Sequence, residues 1–309
     1  RNDQRFRAYV HHFVKAPLWK GEDLTGKRIL IVGEQGLGDE FMFANTLPDL
    51  AEAVGDTGKL EIAVDPRLIP LFQRSFPKAE VGRYEDRTLI DKDGNKNLRF
   101  IPFSIDKGEP DFWAPMGSPL RIFRRALSDF PHKPFLVADP ERVADYAAQL
   151  AMLGDGLKVG ICWRSMMLGA KRAKYFSALH AWGPILKVPG ITFVNLQYGD
   201  CAEEIARAEE MHGVKIHCIE GLDLKNDIDG AAALSAALDL VISAPTAAAA
   251  TAGSVGTEVR FTTAGRTWPQ LGTDEYPWYR KSKVFSPEKF GDWSDVIPRV
   301  GEALKTFAL

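Results

Sequence analysis

Strands and helices alternate twice along this chain, which predicts an α/β protein of two domains, each a parallel sheet flanked by helices. Three observations carry that prediction. The apolar run Arg28-Ile29-Leu30-Ile31-Val32-Gly33 reads as a buried parallel strand, and the turn Glu34-Gln35-Gly36-Leu37-Gly38-Asp39-Glu40 then leads into a helix. The same grammar restarts at Lys158-Val159-Gly160-Ile161-Cys162-Trp163. A later run, Leu238-Asp239-Leu240-Val241-Ile242-Ser243, again meets a helix start, at Thr246. A length of 309 residues is enough for about two domains with substantial cores. The expectation is two Rossmann-like domains, residues 1–138 and 139–309, facing a central cleft, with a helix over 291–304 closing the structure.

After the first strand, the pattern predicts a helix over 39–54, a strand at Leu60-Glu61-Ile62-Ala63-Val64, a helix near 66–76 and weaker strands near 79–84 and 98–103. Asp86 to Leu98, with Asp91-Lys92-Asp93-Gly94-Asn95-Lys96-Asn97, reads as a polar loop insertion, and 106–119 reads as loop. Arg121, Arg124 and Arg125 fall at helical spacing, as on a solvated face. Pro134-Phe135-Leu136-Val137-Ala138-Asp139-Pro140 reads as the crossing between domains. A helix over 140–153 follows and ends at Gly154-Asp155-Gly156. Further strands are expected at 158–163, 191–197, 215–218, 238–243 and 257–261, with helices at 201–212 and 229–237.

Composition excludes several classes. Lys and Arg number 39 against 41 Asp and Glu, so a net charge of −2 supplies no basic field for nucleic acid. No apolar run approaches the roughly 20 residues that span a bilayer. The opening Arg1-Asn2-Asp3-Gln4-Arg5-Phe6-Arg7 lacks the apolar core of a signal peptide, so a cytoplasmic location is expected. The chain has no initiator Met and reads as a piece of a longer one. Cys162, Cys201 and Cys218 show no CxxC or zinc spacing and are expected as buried free thiols. The six histidines show no ligand spacing, so neither a protein-held metal nor a cofactor is expected.

The turn after the first strand is one candidate site. Backbone amides at such a join point outward with positive partial charge, which suits an anion or polar ligand near Gly36 and Gly38. Asp39 stands there as a fixed acid, where an open α/β sheet places its chemistry. The glycines run Gly33-x-x-Gly36-x-Gly38, and a dinucleotide fingerprint needs a small residue where Phe41 stands, which disfavours a nicotinamide site. A tight turn capped by its acid is the structural alternative.

The second half offers a different set of groups. Pro245 ends the strand, and Thr246-Ala247-Ala248-Ala249-Ala250 opens a small-residue helix whose amides and Thr hydroxyl can hold phosphate. An alanine helix packed under the sheet is the alternative. Arg164, followed by Lys171, Arg172 and Lys174, offers charge-assisted contacts to phosphate oxygens, or else an exposed basic loop without a ligand. Gln197 and Tyr198 offer amide and aromatic groups for a base or ribose. Trp268, with Tyr276, Trp278 and Tyr279, supplies aromatics that serve either a core or a stacking surface. Four strand ends of the second half thus carry phosphate-, base- or sugar-compatible groups, and one of the first half carries an acid.

Taken in order, these residues resemble the bacterial GT-B glycosyltransferases that are appended to tetratricopeptide repeats and related to the heptosyltransferase family. The resemblance covers nearly the whole chain. It runs from Trp19-Lys20-Gly21-Glu22-Asp23-Leu24 through the Gln35-Gly36-Leu37-Gly38-Asp39 turn, Gly160-Ile161-Cys162-Trp163 and Phe193-Val194-Asn195-Leu196-Gln197 to Leu238-Asp239-Leu240-Val241-Ile242-Ser243 and Gly291-Asp292-Trp293. It implies an inverting, metal-independent transfer of a hexosyl, heptosyl or nonulosonyl group from a nucleotide-sugar donor to an acceptor hydroxyl. It also implies roles: Asp39 as general base, Lys174 as the cation steadying the leaving phosphate, and the helix at Thr246 as the donor-phosphate site. A tetratricopeptide-type region would lie upstream.

The chain departs from that family at one point. Heptosyltransferase-like members commonly read Asp-Thr near the start of the phosphate helix and His four residues after the Thr; here Pro245 and Ala250 stand at those positions and Thr246 is kept. Proteins with this altered helix resemble catalytic domains linked to flagellin glycosylation. That implies a nucleotide-activated nonulosonic acid as donor and a protein Ser or Thr as acceptor, with a glycan acceptor the alternative. The same departures leave open a degenerate module that binds a nucleotide sugar or a partner without turnover.

Overall fold

The computed structural model describes residues 14–91, 94–105, 107–166 and 173–308. The chain divides into two compact units between Arg125 and Ala126. Among the described residues no helix is long and apolar enough to cross a membrane.

The first unit holds β1 (Arg28–Val32), β2 (Lys59–Val64), β3 (Glu80–Arg83), β4 (Glu85–Asp91), β5 (Gly94–Phe100) and β6 (Phe112–Pro115). Its main sheet runs β3-β2-β1-β6 with every pair parallel. Ile29, Leu30, Ile31 and Val32 are all buried. Successive residues of a strand face opposite sides, so both faces of the sheet are covered, as a parallel sheet requires. The helices Leu37–Phe43 and Leu47–Ala53, joined by the turn Ala44–Thr46, bury Phe41, Leu47 and Leu50. Phe41 meets Phe72 of the helix Ile69–Ser75 at 6.4 Å between ring centroids.

Three expectations for this unit are corrected. Within 106–119, read as loop, Phe112–Pro115 is a strand that pairs with β1. Its flanking prolines hid it, yet Trp113 is also held on the far side, where its N–H donates to the Pro17 carbonyl (3.1 Å) and its carbonyl accepts from the Trp19 N–H (2.8 Å). The polar segment 86–98 is the antiparallel pair β4–β5, in register from Glu85↔Phe100 to Asp91↔Gly94. An antiparallel ribbon outside the main sheet satisfies its own backbone and needs no apolar run to announce it. Arg124 is no solvated face: its side chain is 3% exposed and ion-pairs with Asp49 at 2.7 Å, and its Nε donates to Asn45 Oδ1 at 2.7 Å.

The second unit holds β7 (Leu157–Cys162), β8 (Ile191–Asn195), β9 (Ile216–His217), β10 (Leu240–Ser243), β11 (Val259–Thr262) and β12 (Ser282–Phe285). All are parallel, in the order β12-β11-β10-β7-β8-β9. Numbered from β7 this is the 3-2-1-4-5-6 winding of a Rossmann sheet. The edge strand β12 was not foreseen, because Ser282-Lys283-Val284-Phe285 is short and half polar.

Trp163, Trp182, Val300 and Leu304 lie in one apolar cluster with β7, β8 and β10, so the closing helix Trp293–Phe307 packs into this unit. The segment 134–140, read as a crossing, also belongs here. The Phe135 and Leu136 amides both donate to the Ser254 carbonyl at 3.1 Å, and the Phe135 ring stacks on Tyr279. Cys162 and Cys201 are buried as expected, whereas Cys218, just past the two-residue edge strand β9, is exposed.

Candidate active site

Each sheet reverses its winding beside its first strand, and the crevice at the carboxyl ends there is where open α/β sheets bind ligands. In the first unit the reversal lies between β1 and β6. The Gly33 N–H donates to the Ala63 carbonyl (2.7 Å), the Met116 N–H donates to the Val32 carbonyl (2.8 Å), and Glu34 Oε1 accepts from the Gly117 N–H (2.9 Å). Glu34 therefore ties the two strand ends across the reversal. Gln35 then adopts φ +65°, the left-handed region that non-glycine residues seldom occupy.

Gly36 caps the helix Leu37–Phe43, and its N–H donates to Asp39 Oδ2 at 3.2 Å. Asp39 thus closes the turn as a capping acid and is half-buried. Burial pushes its pKa up, the Glu34 carboxylate pushes it further, and the Gly36 amide opposes both. A carboxylate with raised proton affinity, fixed beside glycine backbone, is suited to take a proton from a hydroxyl.

Sequence reasoning missed the neighbour, Glu40. It is fully buried, and its carboxyl accepts from the Tyr84 hydroxyl (2.5 Å, to Oε1) and from the Asp65 N–H (3.1 Å, to Oε2). Burial raises its pKa to about 7 against the pull of Tyr84, the Asp65 amide and Arg99. Arg99, 1% exposed, lies over the Tyr84 ring at 3.4 Å, chelates Asp86 at 2.7 and 2.8 Å, and donates from Nη1 to the Gly33 carbonyl. The available signal was an acid directly before the apolar triplet Phe41-Met42-Phe43, a placement that buries it.

In the second unit the reversal lies between β7 and β10, whose ends pair as Ser243↔Cys162. Cys162 Sγ sits 3.5 Å from Gln197 Oε1 and 3.5 Å from Thr246 Oγ1, and burial drives the thiol to about 11, so it is neutral. The Arg164 N–H donates to Gln197 Oε1 at 3.0 Å, and Gln197 Nε2 donates to the Tyr198 carbonyl at 3.1 Å. Arg164, Gln197, Tyr198 and Thr246 are therefore brought together.

The Arg164 guanidinium itself is engaged. Glu204, which also accepts from Trp163 Nε1 (2.6 Å), ion-pairs with it, and the Asp200 carbonyl accepts from its Nη2 (2.7 Å). Thr246 caps the helix Ala247–Ser254 by position, but its hydroxyl lies near Cys162 and Ser243 (3.3 Å) rather than on a helix amide. Pro245 is exposed, Ala247 half-buried, and Ala249 to Ser254 buried. A methyl at Gly253 would fall 2.5 Å from the Tyr279 ring, so the far half of this helix is the tight packing element. Its first turn keeps amides that have no intrahelical partner.

Lys174 and Trp268 stand in other groups. The Lys174 ammonium lies over the Tyr175 and Phe290 rings at 5.4 and 5.8 Å, and the two rings meet edge to face. Trp268, 59% exposed, meets Trp278 edge to face. Lys171 and Arg172 lie outside the described residues. Among the described residues no three His, Cys, Asp or Glu side chains converge as metal ligands.

This is an α/β fold with parallel sheets that matches GT-B-like glycosyltransferases. The structure is similar to ADP-heptose lipopolysaccharide heptosyltransferase II of E. coli, with a TM-score of 0.59 over 91% of this chain and 98% of that one, at 14% identity. It is also similar to a family 9 glycosyl transferase of Veillonella parvula, with a TM-score of 0.55 over 92% and 90%, again at 14% identity. In sequence, 291 residues (94% of this chain) are 48% identical to Protein FlbA of Caulobacter vibrioides. The chain spans 48% of that relative's length, about half. No family model matches.

Proposed function

We propose that this chain is a glycosyltransferase that moves a sugar from a nucleotide-sugar donor to an acceptor hydroxyl, inverting the anomeric centre without a protein-held metal. The observation that carries the reading is Asp39, a half-buried acid of raised proton affinity at the winding reversal of the first sheet, in a fold shared with glycosyltransferases. As the acceptor oxygen attacks the anomeric carbon, Asp39 takes its proton. The bond from that carbon to the phosphate oxygen breaks on the opposite face, and the nucleotide leaves with the bonding electrons. Leaving-group charge is met by electrostatics. The first-turn amides of Ala247–Ser254, the Thr246 hydroxyl and the Lys174 ammonium are the groups proposed to supply it.

The heptosyltransferase II that shares the fold is named for ADP-heptose, and the flagellin-linked resemblance points to a nonulosonic acid donor with a protein Ser or Thr as acceptor. A thermal-shift screen of ADP, UDP, GDP, CMP, ADP-heptose and a CMP-nonulosonic acid tests the donor assignment. A ligand at 100 times its Kd adds about 2.7 kcal/mol of stability. Stabilisation by one nucleotide series, followed by a mass shift on flagellin or on a glycan acceptor, is the expected outcome. Silence across all six compounds sinks the reading.

A degenerate binding module is the second reading, and a specific observation favours it. Arg164 is occupied by Glu204, and Ala250, where related enzymes carry His, is 6% exposed inside the packed helix. Nucleotide binding without transfer to any acceptor is its signature.

A further inference from the structure

We propose that Glu40 is a positioning residue for Asp39: with Tyr84 and Arg99 it clamps both ends of the turn Gly33–Glu40 and holds that turn in the one shape that caps Asp39 on Gly36. The inference rests on Asp39 being the base, and it is drawn from contacts outside the proposed reaction.

The contacts close a ring. Glu40, at the far end of the turn, accepts from the Tyr84 hydroxyl just past β3 and from the Asp65 amide just past β2. The Tyr84 ring carries the Arg99 guanidinium on its face. Arg99 in turn donates to the carbonyl of Gly33, the near end of the turn, and Asp86 fixes its other edge. The ring then closes directly, because a Cβ at Gly33 would lie 2.7 Å from the Glu40 carboxyl. Only glycine lets the carboxyl sit against the start of the turn it ends.

Between the clamped ends lies Gln35 at φ +65°. A residue in that region persists only where its surroundings over-determine it. The turn runs straight into the helix Leu37–Phe43, whose first turn carries both Asp39 and Glu40, so whatever fixes Glu40 also fixes where Asp39 stands. The Asp39 cap on Gly36, at 3.2 Å, is a long contact that a small drift of the turn would break. A buried carboxyl hydrogen-bonded to two other strand ends supplies the fixity that the turn lacks.

The test compares Tyr84→Phe and Glu40→Gln with the unaltered chain by two readouts that involve no substrate. Carboxyl-carbon NMR follows the Asp39 titration, and amide exchange follows Gly36 to Asp39, with Ile29 to Val32 as the folding control. The expected result is an Asp39 midpoint that falls back toward the ordinary value near 3.9 as the turn loosens and water reaches it. Exchange in the turn should rise by about tenfold or more while β1 stays protected. A purely structural part for Glu40 would lower global stability and leave the Asp39 midpoint raised.

Tyr84→Phe keeps the ring under Arg99 and decides the matter if Glu40→Gln fails to fold. An unaltered Asp39 midpoint, or unaltered exchange in the turn, overturns the proposal. Retention of transfer by Asp39→Asn would instead sink the base assignment and leave both readouts to be judged as they stand.

Discussion

The carboxyl ends of the two sheets share a winding and differ in what they bury. At the first reversal the chain places Glu34, Asp39 and Glu40 within seven residues, with Arg99 beneath them. At the second, the groups in contact are a neutral thiol, a hydroxyl and an amide, those of Cys162, Thr246 and Gln197, and the Arg164 guanidinium beside them is matched by Glu204. The first end therefore carries its own charge and must hold it in place. Among the described residues the second is close to neutral, and the first turn of its helix keeps amides without intrahelical partners.

The largest test of that contrast is Asp39→Asn. Asparagine keeps the shape and can still accept from the Gly36 amide, but it takes no proton. Loss of a general base costs about 10²–10⁴-fold in rate, or roughly 3–5 kcal/mol of barrier. We expect kcat to fall by that factor while nucleotide binding, followed by thermal shift, stays unchanged. Loss of nucleotide binding instead would mean that the first end also holds the donor.

A second test uses the buried charge itself. Burial in the folded state raises the Glu40 pKa from its ordinary value of 4.5 to about 7. The folded state then binds the proton more tightly than the unfolded state. This contribution to stability is full below about 4.5 and is lost as pH rises through about 7. A shift of that size corresponds to about 3 kcal/mol. Denaturant unfolding of Glu40→Gln should lack that loss, so the difference between the two stability curves should slope between those pH values and flatten above them. Parallel curves would place an ordinary carboxyl at this site.

Much of this was legible in the sequence, and the exceptions have physical causes. Apolar runs such as Ile29-Leu30-Ile31-Val32 and Leu240-Val241-Ile242-Ser243 declare buried parallel strands, and the strand-to-helix turns they announce, at Asp39 and Thr246, fall beside the winding reversals of the two sheets. The strand Phe112–Pro115 was hidden because Pro110, Pro115 and Pro119 give its surroundings the look of a loop, while its pairing to β1 and to the segment near Trp19 is set by distant contacts. Glu40, Tyr84 and Arg99 stayed invisible for the same reason. A contact between residues 40 and 84 leaves no periodic trace, and local pattern gives an acid no address. The engagement of Arg164 by Glu204, 40 positions away, likewise belongs to tertiary packing alone.

The smallest expected effect is the sharpest probe of the neutral end. Ala247 is the first residue of its helix and half-buried, so Ala247→Glu places a carboxylate beside the free amides. An acid in the first turn stabilises a helix by about 0.3–1 kcal/mol. The same charge occupies the position proposed for the donor phosphate and repels it. The free protein should therefore melt slightly higher while nucleotide affinity drops by about tenfold, or roughly 1.4 kcal/mol. Ala247→Gln, which adds bulk without charge, separates crowding from repulsion, and its affinity should fall less. If Ala247→Glu binds the nucleotide as tightly as the parent chain, the phosphates are not held at this helix. The cation over the Tyr175 and Phe290 rings, Lys174, then becomes the group to alter.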